Sequence, residues 1–259
     1  MNIIVCVKRV PLTQEVDLEI DDTGKKIKED ALAYIINDWD NYAIEAAVQL
    51  QENLGGEVTA VTIGNEDDEE VLRRALAMGA DRAIRIDPGD LTPDGYLNAK
   101  ILAKTISDLD YDLIFTRVQS EDHNTGMVGI MLAEQLGLAH AAIVNSLEPE
   151  DGTVKVHVEL EGGIDEVSRI QLPALLTIQT GINEPRYVSI MGIRKAKKKE
   201  LKVVSLAELG FTPDDLTPQT FIEEVFLPPE TDGAEMIEGS PAEMAETIIR
   251  IMGEKGVTV

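Results

Sequence analysis

The stretch from residue 111 to residue 138 reads YDLIFTRVQSEDHNTGMVGIMLAEQLGL, and it decides how the chain is expected to fold. It opens with the apolar run Leu113, Ile114, Phe115, which is short enough to form one buried strand. A polar loop over residues 119–126 follows, and an apolar segment with helical spacing, headed by Thr125 and Gly126, comes next. The sequence therefore predicts a strand, a loop and the start of a helix.

The polar loop is a candidate ligand site. The first N–H groups of a helix have no backbone partner and, together with the helix dipole, they favour an anion such as phosphate. Ser120, Asn124 and Thr125 add polar groups to the loop. Simple capping of the helix by Thr125 or Asn124 explains the same pattern, and both interpretations stay open. Glu121 and Asp122 disfavour a bare phosphate, although carboxylates also accept hydrogen bonds from ribose hydroxyls.

The composition argues against several functions. The chain has 259 residues, enough to bury a core, and its formal net charge is −25. Non-specific nucleic-acid binding needs basic residues on the contact face, so we do not expect it. The single cysteine, Cys6, forms no disulfide within the chain, which fits a reducing compartment. No apolar stretch approaches the roughly 18 residues of a membrane span, and we expect a soluble, cytoplasmic protein.

Motifs of metal or hydrolytic catalysis are missing from the sequence. His123, His140 and His157 lie in separate segments without the spacing of metal ligands. The sequence contains neither a Gly-x-Ser-x-Gly nor a Walker A pattern. We therefore expect no metal site and no hydrolase with its own nucleophile.

Strands that alternate with helices predict a doubly wound, mainly parallel α/β sheet. The predicted strands of this half are residues 3–7, 57–63, 83–86 and 111–116, and the predicted helices are residues 41–50, 66–78 and 94–108. Ligands of such sheets bind outside the carboxyl ends of the strands, where the strand order reverses. The loops after Val7, Ile63 and Thr116 are thus predicted to share one site, with residues 37–40 nearby.

The segment before the first helix carries three further predictions. Residues 16–20 alternate like a half-exposed strand and, with the turn at residues 21–24, predict a surface hairpin that leads towards Ile27. Asp38 or Asp40 is predicted to cap the helix. Trp39 is the only tryptophan of the chain, and for it both core packing and ligand contact stay open.

The second half of the chain has a different pattern. Strands are predicted at residues 142–147, 154–160, 166–170 and 174–178, the middle two as a hairpin, and Pro185 ends regular structure. The basic run at residues 194–199 is either a solvated face or a contact for an acidic partner. Beyond residue 205 only residues 241–252 have helical spacing. We therefore predict an α/β domain over residues 1–204, which the resemblance given below implies to be nucleotide-binding, and an arm around another subunit over residues 205–259.

Several motifs taken together resemble the β-subunit of electron transfer flavoproteins. They are VKRV at residues 7–10, RALAMGADR at 74–82, VELEGGIDEV at 158–167, LPALLT at 172–177 and NEPRY at 183–187. The resemblance implies a Rossmann-like, adenine-nucleotide-binding fold with a β-hairpin insertion and an extended C-terminal arm. It also implies an obligate heterodimer with an α-subunit whose separate domain holds the electron-carrying FAD.

The resemblance assigns residues to two surfaces by position. The implied nucleotide site consists of Cys6, Asn37, Asp38, Trp39, Asp40, Ile63, Gln119, Ser120, Glu121, Asp122, His123, Asn124, Thr125, Gly126, Met127 and Val128. Trp39 takes the place of a family aromatic near the α-subunit flavin. The implied docking loop for a dehydrogenase of the acyl-CoA dehydrogenase type includes Arg186, Tyr187, Met191 and Lys195, with Ile190 as its apolar anchor.

The cofactor of the β-subunit is either AMP or a second FAD. The loop at residues 122–129 has the shorter length of the FAD-holding members that bifurcate electrons from NADH, and residues 191–196 also resemble that group. His123, Asn124, Gly126 and Met127 depart from its pattern. We expect FAD, with AMP as the alternative, and ferredoxin, flavodoxin or a quinone reductase as the acceptor. A non-redox adenine-nucleotide sensor is the alternative of another class, which would not need the arm and the docking loop.

Overall fold

A computed structural model describes residues 1–14, 16–30, 32–229 and 233–257. The strands found in these ranges are β1 (Ile3–Cys6), β2 (Arg9–Leu12), β3 (Ala33–Ile36), β4 (Val58–Ile63), β5 (Arg82–Asp87), β6 (Leu113–Arg117), β7 (Ala139–Glu150), β8 (Thr153–Leu160), β9 (Ile164–Gln171), β10 (Ala174–Ile178) and β11 (Leu201–Ser205). The helices are α1 (Asp38–Leu54), α2 (Glu69–Met78), α3 (Gly95–Ile106), α4 (Val128–Leu136), α5 (Ile190–Ala196) and α6 (Pro241–Glu254).

One large sheet organises the chain, with the strand order β11-β5-β4-β1-β6-β10-β7-β8-β9. The strands from β11 to β7 pair in parallel, and β8 and β9 extend the sheet as antiparallel hairpins. The predicted doubly wound, mainly parallel α/β fold is confirmed. The chain passes from β1 to β4 on one side and later returns to place β6 on the other, so the strand order reverses at β1.

The central strands are apolar on both faces because helices cover both faces of the sheet. Every residue of β1 and of β10 is buried. Ile3 and Val5 face the core that contains α1 and α2, whereas Ile4 and Cys6 face the core that contains α3 and α4. Alternate residues of one strand thus enter two separate cores. No helix within the described ranges has the length and apolar content needed to cross a lipid bilayer.

The hairpin predicted before the first helix is confirmed in part. Ile20 bridges Ile27 in the antiparallel sense, and the Asp21 N–H donates to the Lys26 carbonyl oxygen at 2.9 Å across the predicted turn. Residues 16–20 form no strand beyond this bridge, so that part of the prediction was wrong. The antiparallel pair of strands in this region is β2 with β3. Neither Asp38 nor Asp40 is the N-cap of α1, since both lie in its first turn and the cap position belongs to Asn37.

Two further short elements, besides β2 and β3, were not predicted. Helix α5 follows Ser189, whose side chain accepts the N–H of Gly192 at 3.0 Å and caps the helix. Strand β11 pairs in parallel with β5 at the edge of the sheet. Helix α5 has seven residues and is shorter than the window in which helical spacing becomes visible, and the sequence LKVVS of β11 lacks strict alternation of apolar and polar residues.

Gly129 allows α4 to lie against the carboxyl ends of β6 and β10. A Cβ atom at this position would meet the buried side chains of Thr116 and Thr177, the latter at 2.8 Å from Cγ2. Larger residues are therefore excluded here, and the first turn of α4 is held directly on the sheet.

We expect Gly129→Ala to lower the free energy of unfolding by about 1–3 kcal/mol, because the added methyl group overpacks this contact. The measurement is urea denaturation followed by circular dichroism. Gly253→Ala in α6 is the matched control, since a Cβ there meets nothing within 4 Å. The control should not lower stability, and a Gly129→Ala protein as stable as the wild type would contradict the packing argument.

Candidate functional site

The carboxyl edge of the sheet brings the predicted loops together. Cys6 and Ile63 are the last residues of β1 and β4, and Arg117 is the last residue of β6. The Thr62 hydroxyl donates to the carbonyl oxygen of Val7 at 2.8 Å and joins the ends of the first two strands. The loops after β1, β4 and β6 therefore line one region of the surface.

Asn37 ties this region to the polar loop between β6 and α4. Its fully buried side chain donates from Nδ2 to the Gln119 carbonyl oxygen at 3.3 Å and accepts at Oδ1 from the Glu121 N–H at 2.9 Å. Its own N–H donates to the Lys8 carbonyl oxygen at 2.9 Å. Because the amide group is engaged by the loop, it makes no capping hydrogen bond to α1.

A buried ion pair lies below this contact. Asp40 has no exposed surface, and Arg117 Nη1 lies 3.2 Å from its Oδ1. The Lys8 N–H donates to Asp40 Oδ2 at 2.7 Å, and Arg117 also donates to the Cys6 carbonyl oxygen at 3.4 Å. Burial raises the pKa of Asp40 to about 6, although the Arg117 guanidinium opposes the rise. The pair joins the ends of β1 and β6 to the first turn of α1.

A second ion pair lies nearer the solvent. Lys8 Nζ bonds the Asp122 carboxylate and lies 3.3 Å from His123 Nδ1. Burial lowers the pKa of Lys8. Burial and the neighbouring Lys8 ammonium also lower the pKa of His123, so its imidazole is neutral at pH 7. Since Lys8 and Arg117 are both paired with carboxylates, main-chain N–H groups remain the principal donors for an anion.

The loop before α4 presents such donors. Asn124 and Gly126 adopt left-handed conformations with φ of 51° and 62°, and the Asn124 N–H donates to the Ser120 carbonyl oxygen at 2.8 Å. The N-cap of α4 is Met127, which makes no side-chain capping bond. The interpretation of Thr125 or Asn124 as a helix cap was therefore wrong. The first N–H groups of α4 are left without a side-chain acceptor, as an anion site requires.

The remaining predicted residues lie around the same edge. Burial raises the pKa of Cys6 to about 12, so its thiol is neutral and only its carbonyl oxygen serves the site. The Trp39 indole donates to Gln179 Oε1 at 2.9 Å, which ties the ring to the end of β10. Asp38 is exposed, and Val128 is half-buried at the start of α4.

The residues predicted to dock a partner lie elsewhere. Arg186 pairs with Glu45 at 2.8 Å and with Glu52 at 2.7 Å, so its guanidinium fastens this segment to α1. Tyr187 and Ile190 are 95% and 73% exposed.

Helix α5 continues this docking surface. Met191 and Lys195 line a cleft of about 350 Å³ against the end of α2. The end of α2 leads into the amino end of β5, so the docking surface and the loop site lie at opposite edges of the sheet.

Sequence reasoning did not assign roles to Lys8, Arg117 and Gln179. Each lies at or within two residues of the carboxyl end of a parallel strand, and this position is the signal that could have found them. In the described part of the chain, no group of three or more His, Cys, Asp or Glu side chains is arranged to hold a metal ion.

Comparison with known proteins identifies the family. A family model described as the electron transfer flavoprotein domain matches residues 25–209. The chain belongs to the electron transfer flavoprotein family. It is 39% identical to electron transfer flavoprotein subunit beta of Bacillus subtilis, with 97% of each chain covered, and 38% identical to the subunit of the same name from Methylophilus methylotrophus, with 98% of each chain covered.

A third relative comes from a larger complex. The chain is 34% identical to the caffeyl-CoA reductase-Etf complex subunit CarD of Acetobacterium woodii, over 99% of this chain and all of that one. Membership of the electron transfer flavoprotein β-subunit family implies an α-subunit partner and, in general terms, binding of a flavin or AMP.

We expect the stability of the wild type relative to Asp40→Asn to fall as the pH rises from 4 to 6. The native state keeps the Asp40 proton up to about pH 6, whereas the ordinary pKa is 3.8, so in this window the native state binds more protons than the unfolded state. The loss amounts to about 3 kcal/mol, and above pH 7 the difference is constant. Urea denaturation of both proteins at each pH measures it. A difference that does not change from pH 4 to pH 7 would contradict the burial argument.

Proposed function

We propose that the chain is the β-subunit of a heterodimeric electron transfer flavoprotein and binds FAD at the carboxyl edge of its sheet. The complex passes electrons between a dehydrogenase of the acyl-CoA dehydrogenase type and a downstream acceptor. The observation that carries the proposal is that buried Asn37 makes two hydrogen bonds to the loop before α4. These bonds hold the loop, with its free main-chain N–H donors, at the point where the strand order reverses. The sole cysteine favours a reducing, cytoplasmic setting.

The donors of the loop fit a nucleotide. The uncapped N–H groups of α4, together with the Asn124 and Thr125 side chains, would hold a phosphate. Burial, with Asp38 and Asp122 nearby, raises the pKa of Glu121, and such a carboxyl group suits the hydroxyls of a ribose. The flavin, when bound, supplies the electron chemistry, while these residues hold and orient it.

FAD is favoured over AMP on the length of the loop. AMP is the adenylate half of FAD, so the same donors serve both ligands. The two ligands differ in the part of the molecule beyond the AMP phosphate, which in FAD carries the flavin. The short loop at residues 122–129 has the length of the loop in family members that hold a second FAD, although His123, Asn124, Gly126 and Met127 depart from their pattern. NADH would then be the electron donor, with ferredoxin, flavodoxin or a quinone reductase as acceptor. Similarity to a subunit of a caffeyl-CoA reductase complex supports this proposal.

Two other surfaces would serve the partners. The dehydrogenase would dock on the segment from Arg186 to Lys195, where Tyr187, Ile190 and Met191 expose apolar surface. The arm over residues 205–259 would contact the α-subunit, since α6 buries none of its residues within this chain. Residues 1–204 would form the nucleotide-binding domain.

The nucleotide content of the purified αβ complex tests the proposal first. Acid release, chromatographic separation and absorbance are expected to give two FAD per heterodimer. One FAD with one AMP would assign AMP to the β-subunit and remove the bifurcating role. A stable monomer without a flavoprotein partner would favour a nucleotide sensor instead.

We expect Asn124→Ala combined with Thr125→Val to lower nucleotide occupancy by at least about tenfold, because two polar contacts to the phosphate are lost. The melting temperature of the nucleotide-free protein should fall by only about 2–4 °C, because both side chains are exposed and alanine at the left-handed position of Asn124 costs about 1 kcal/mol. Asn53→Ala combined with Thr247→Val, at distant helical positions, is the matched control. Unchanged occupancy in the loop variant would exclude this site.

A further inference from the structure

The arm is fastened to its own subunit by one carboxylate that serves two segments. Asp94 Oδ1 accepts the Leu97 N–H at 2.9 Å and caps α3. Its Oδ2 accepts the N–H groups of Gln219 and Thr220, each at 2.8 Å, and the Thr220 hydroxyl at 3.1 Å. These backbone contacts hold the pKa of Asp94 below its ordinary value even though burial acts to raise it. Asp94 therefore ties the arm to the start of α3.

Two further contacts fix the arm on either side of Gln219 and Thr220, the residues that Asp94 holds. On the N-terminal side, Lys100 Nζ donates to the Asp215 carbonyl oxygen at 2.8 Å. On the C-terminal side, the Val225 N–H donates to the Gly24 carbonyl oxygen at 2.9 Å, on the turn that follows Ile20. The main chain of the arm is thus attached at three points between residues 215 and 225, all of them polar.

Four large apolar side chains at the end of this segment are exposed to solvent, whereas Leu216 packs against the core. Phe221 is 86% exposed and Phe226 is 75% exposed, and Ile222 and Leu227 are about half exposed at 50% and 51%. Aromatic rings of this size normally bury 150–250 Å² each, so their exposure is costly in water. Glu223 and Glu224 lie between the two phenylalanines, and the surface that covers them is therefore apolar with a basic rim.

We propose that residues 217–227 form a docking strip for the α-subunit, and that Asp94 is the positioning residue that fixes the strip before the subunits meet. The inference rests on the proposed heterodimer and adds to it the segment and the residue that prepare the interface. An ordered strip loses less conformational entropy on association than a free arm would lose. The partner is one α-subunit, with an apolar groove for Phe221 and Phe226.

Asp94→Asn separates the two roles of the carboxylate. An asparagine has one acceptor oxygen, and it is among the best N-cap residues, so it keeps the bond to Leu97. Its NH₂ group then faces the N–H groups of Gln219 and Thr220, which lose their acceptor. The strip should detach while α3 stays capped.

The first measurement is amide hydrogen exchange of the full-length chain. In Asp94→Asn, exchange at Gln219 and Thr220 should accelerate at least about tenfold, with exchange at Leu97 unchanged. Asp108→Asn, an exposed position beyond the other end of α3, has the same change in charge and should exchange like the wild type. Unchanged exchange at Gln219 and Thr220 in Asp94→Asn would overturn the clamp.

The second measurement is association with the α-subunit from the same organism. Asp94→Asn should raise the dissociation constant about tenfold, and Phe221→Ser combined with Phe226→Ser should raise it at least about 100-fold without altering exchange at Gln219. An unchanged dissociation constant in Asp94→Asn, despite faster exchange, would overturn the positioning role. Full binding by the double phenylalanine variant would overturn the strip. Failure of the wild type itself to bind the α-subunit would instead contradict the proposed function. The hydrogen-exchange result would still decide whether Asp94 holds Gln219 and Thr220, because it is measured on the chain alone.

Discussion

The architecture of the carboxyl edge depends on the buried ion pair between Asp40 and Arg117. Arg117 ends the strand β6, while Asp40 lies in the first turn of α1 and accepts the backbone N–H that follows β1. A charge without exposed surface is tolerated only when it is paired and hydrogen-bonded, and here three separate chain segments must be in register to meet that condition. The position of Asn37, three residues earlier, follows from the same constraint, and so does the position of the loop that its amide group holds.

The sequence predicted the fold class because parallel strands that are covered on both faces must be apolar throughout. The runs at β1, β4, β6 and β10 follow this pattern apart from threonines and the terminal Arg117, and each of them is a strand close to its predicted limits. The short elements α5 and β11 escaped prediction because tertiary contacts form them. Arg73 of α2 donates to the carbonyl oxygens of Ala196 and Lys199, which holds the end of α5 and directs the chain into β11. The spacing of apolar residues does not report such side-chain contacts.

The loops of the candidate site were predicted from topology, whereas the contacts within them were not. Parallel strands place their carboxyl ends at one edge, so the grouping of the three loops needed no knowledge of side chains. Which carboxylate pairs with which cation depends on register and distance. Lys8 reaches Asp122 across 114 positions of the chain, and no local pattern encodes that pair. The predicted cap Asp40 failed for a related reason, since its carboxylate is engaged by the Lys8 N–H and by Arg117 from distant strands.

The basic end of α5 has a consequence for the kinetics of encounter. The chain carries a formal net charge of −25, yet Arg194 and Lys195 close the last turn of α5 and three lysines follow directly. Lys199 is held by carbonyl oxygens at the end of α2, so the cluster has a fixed location on a molecule that otherwise repels anions. An acidic protein that bound this face would be steered towards it by the long-range field. Its association would be faster at low ionic strength and would slow as salt shortens the range of the field to a few ångströms.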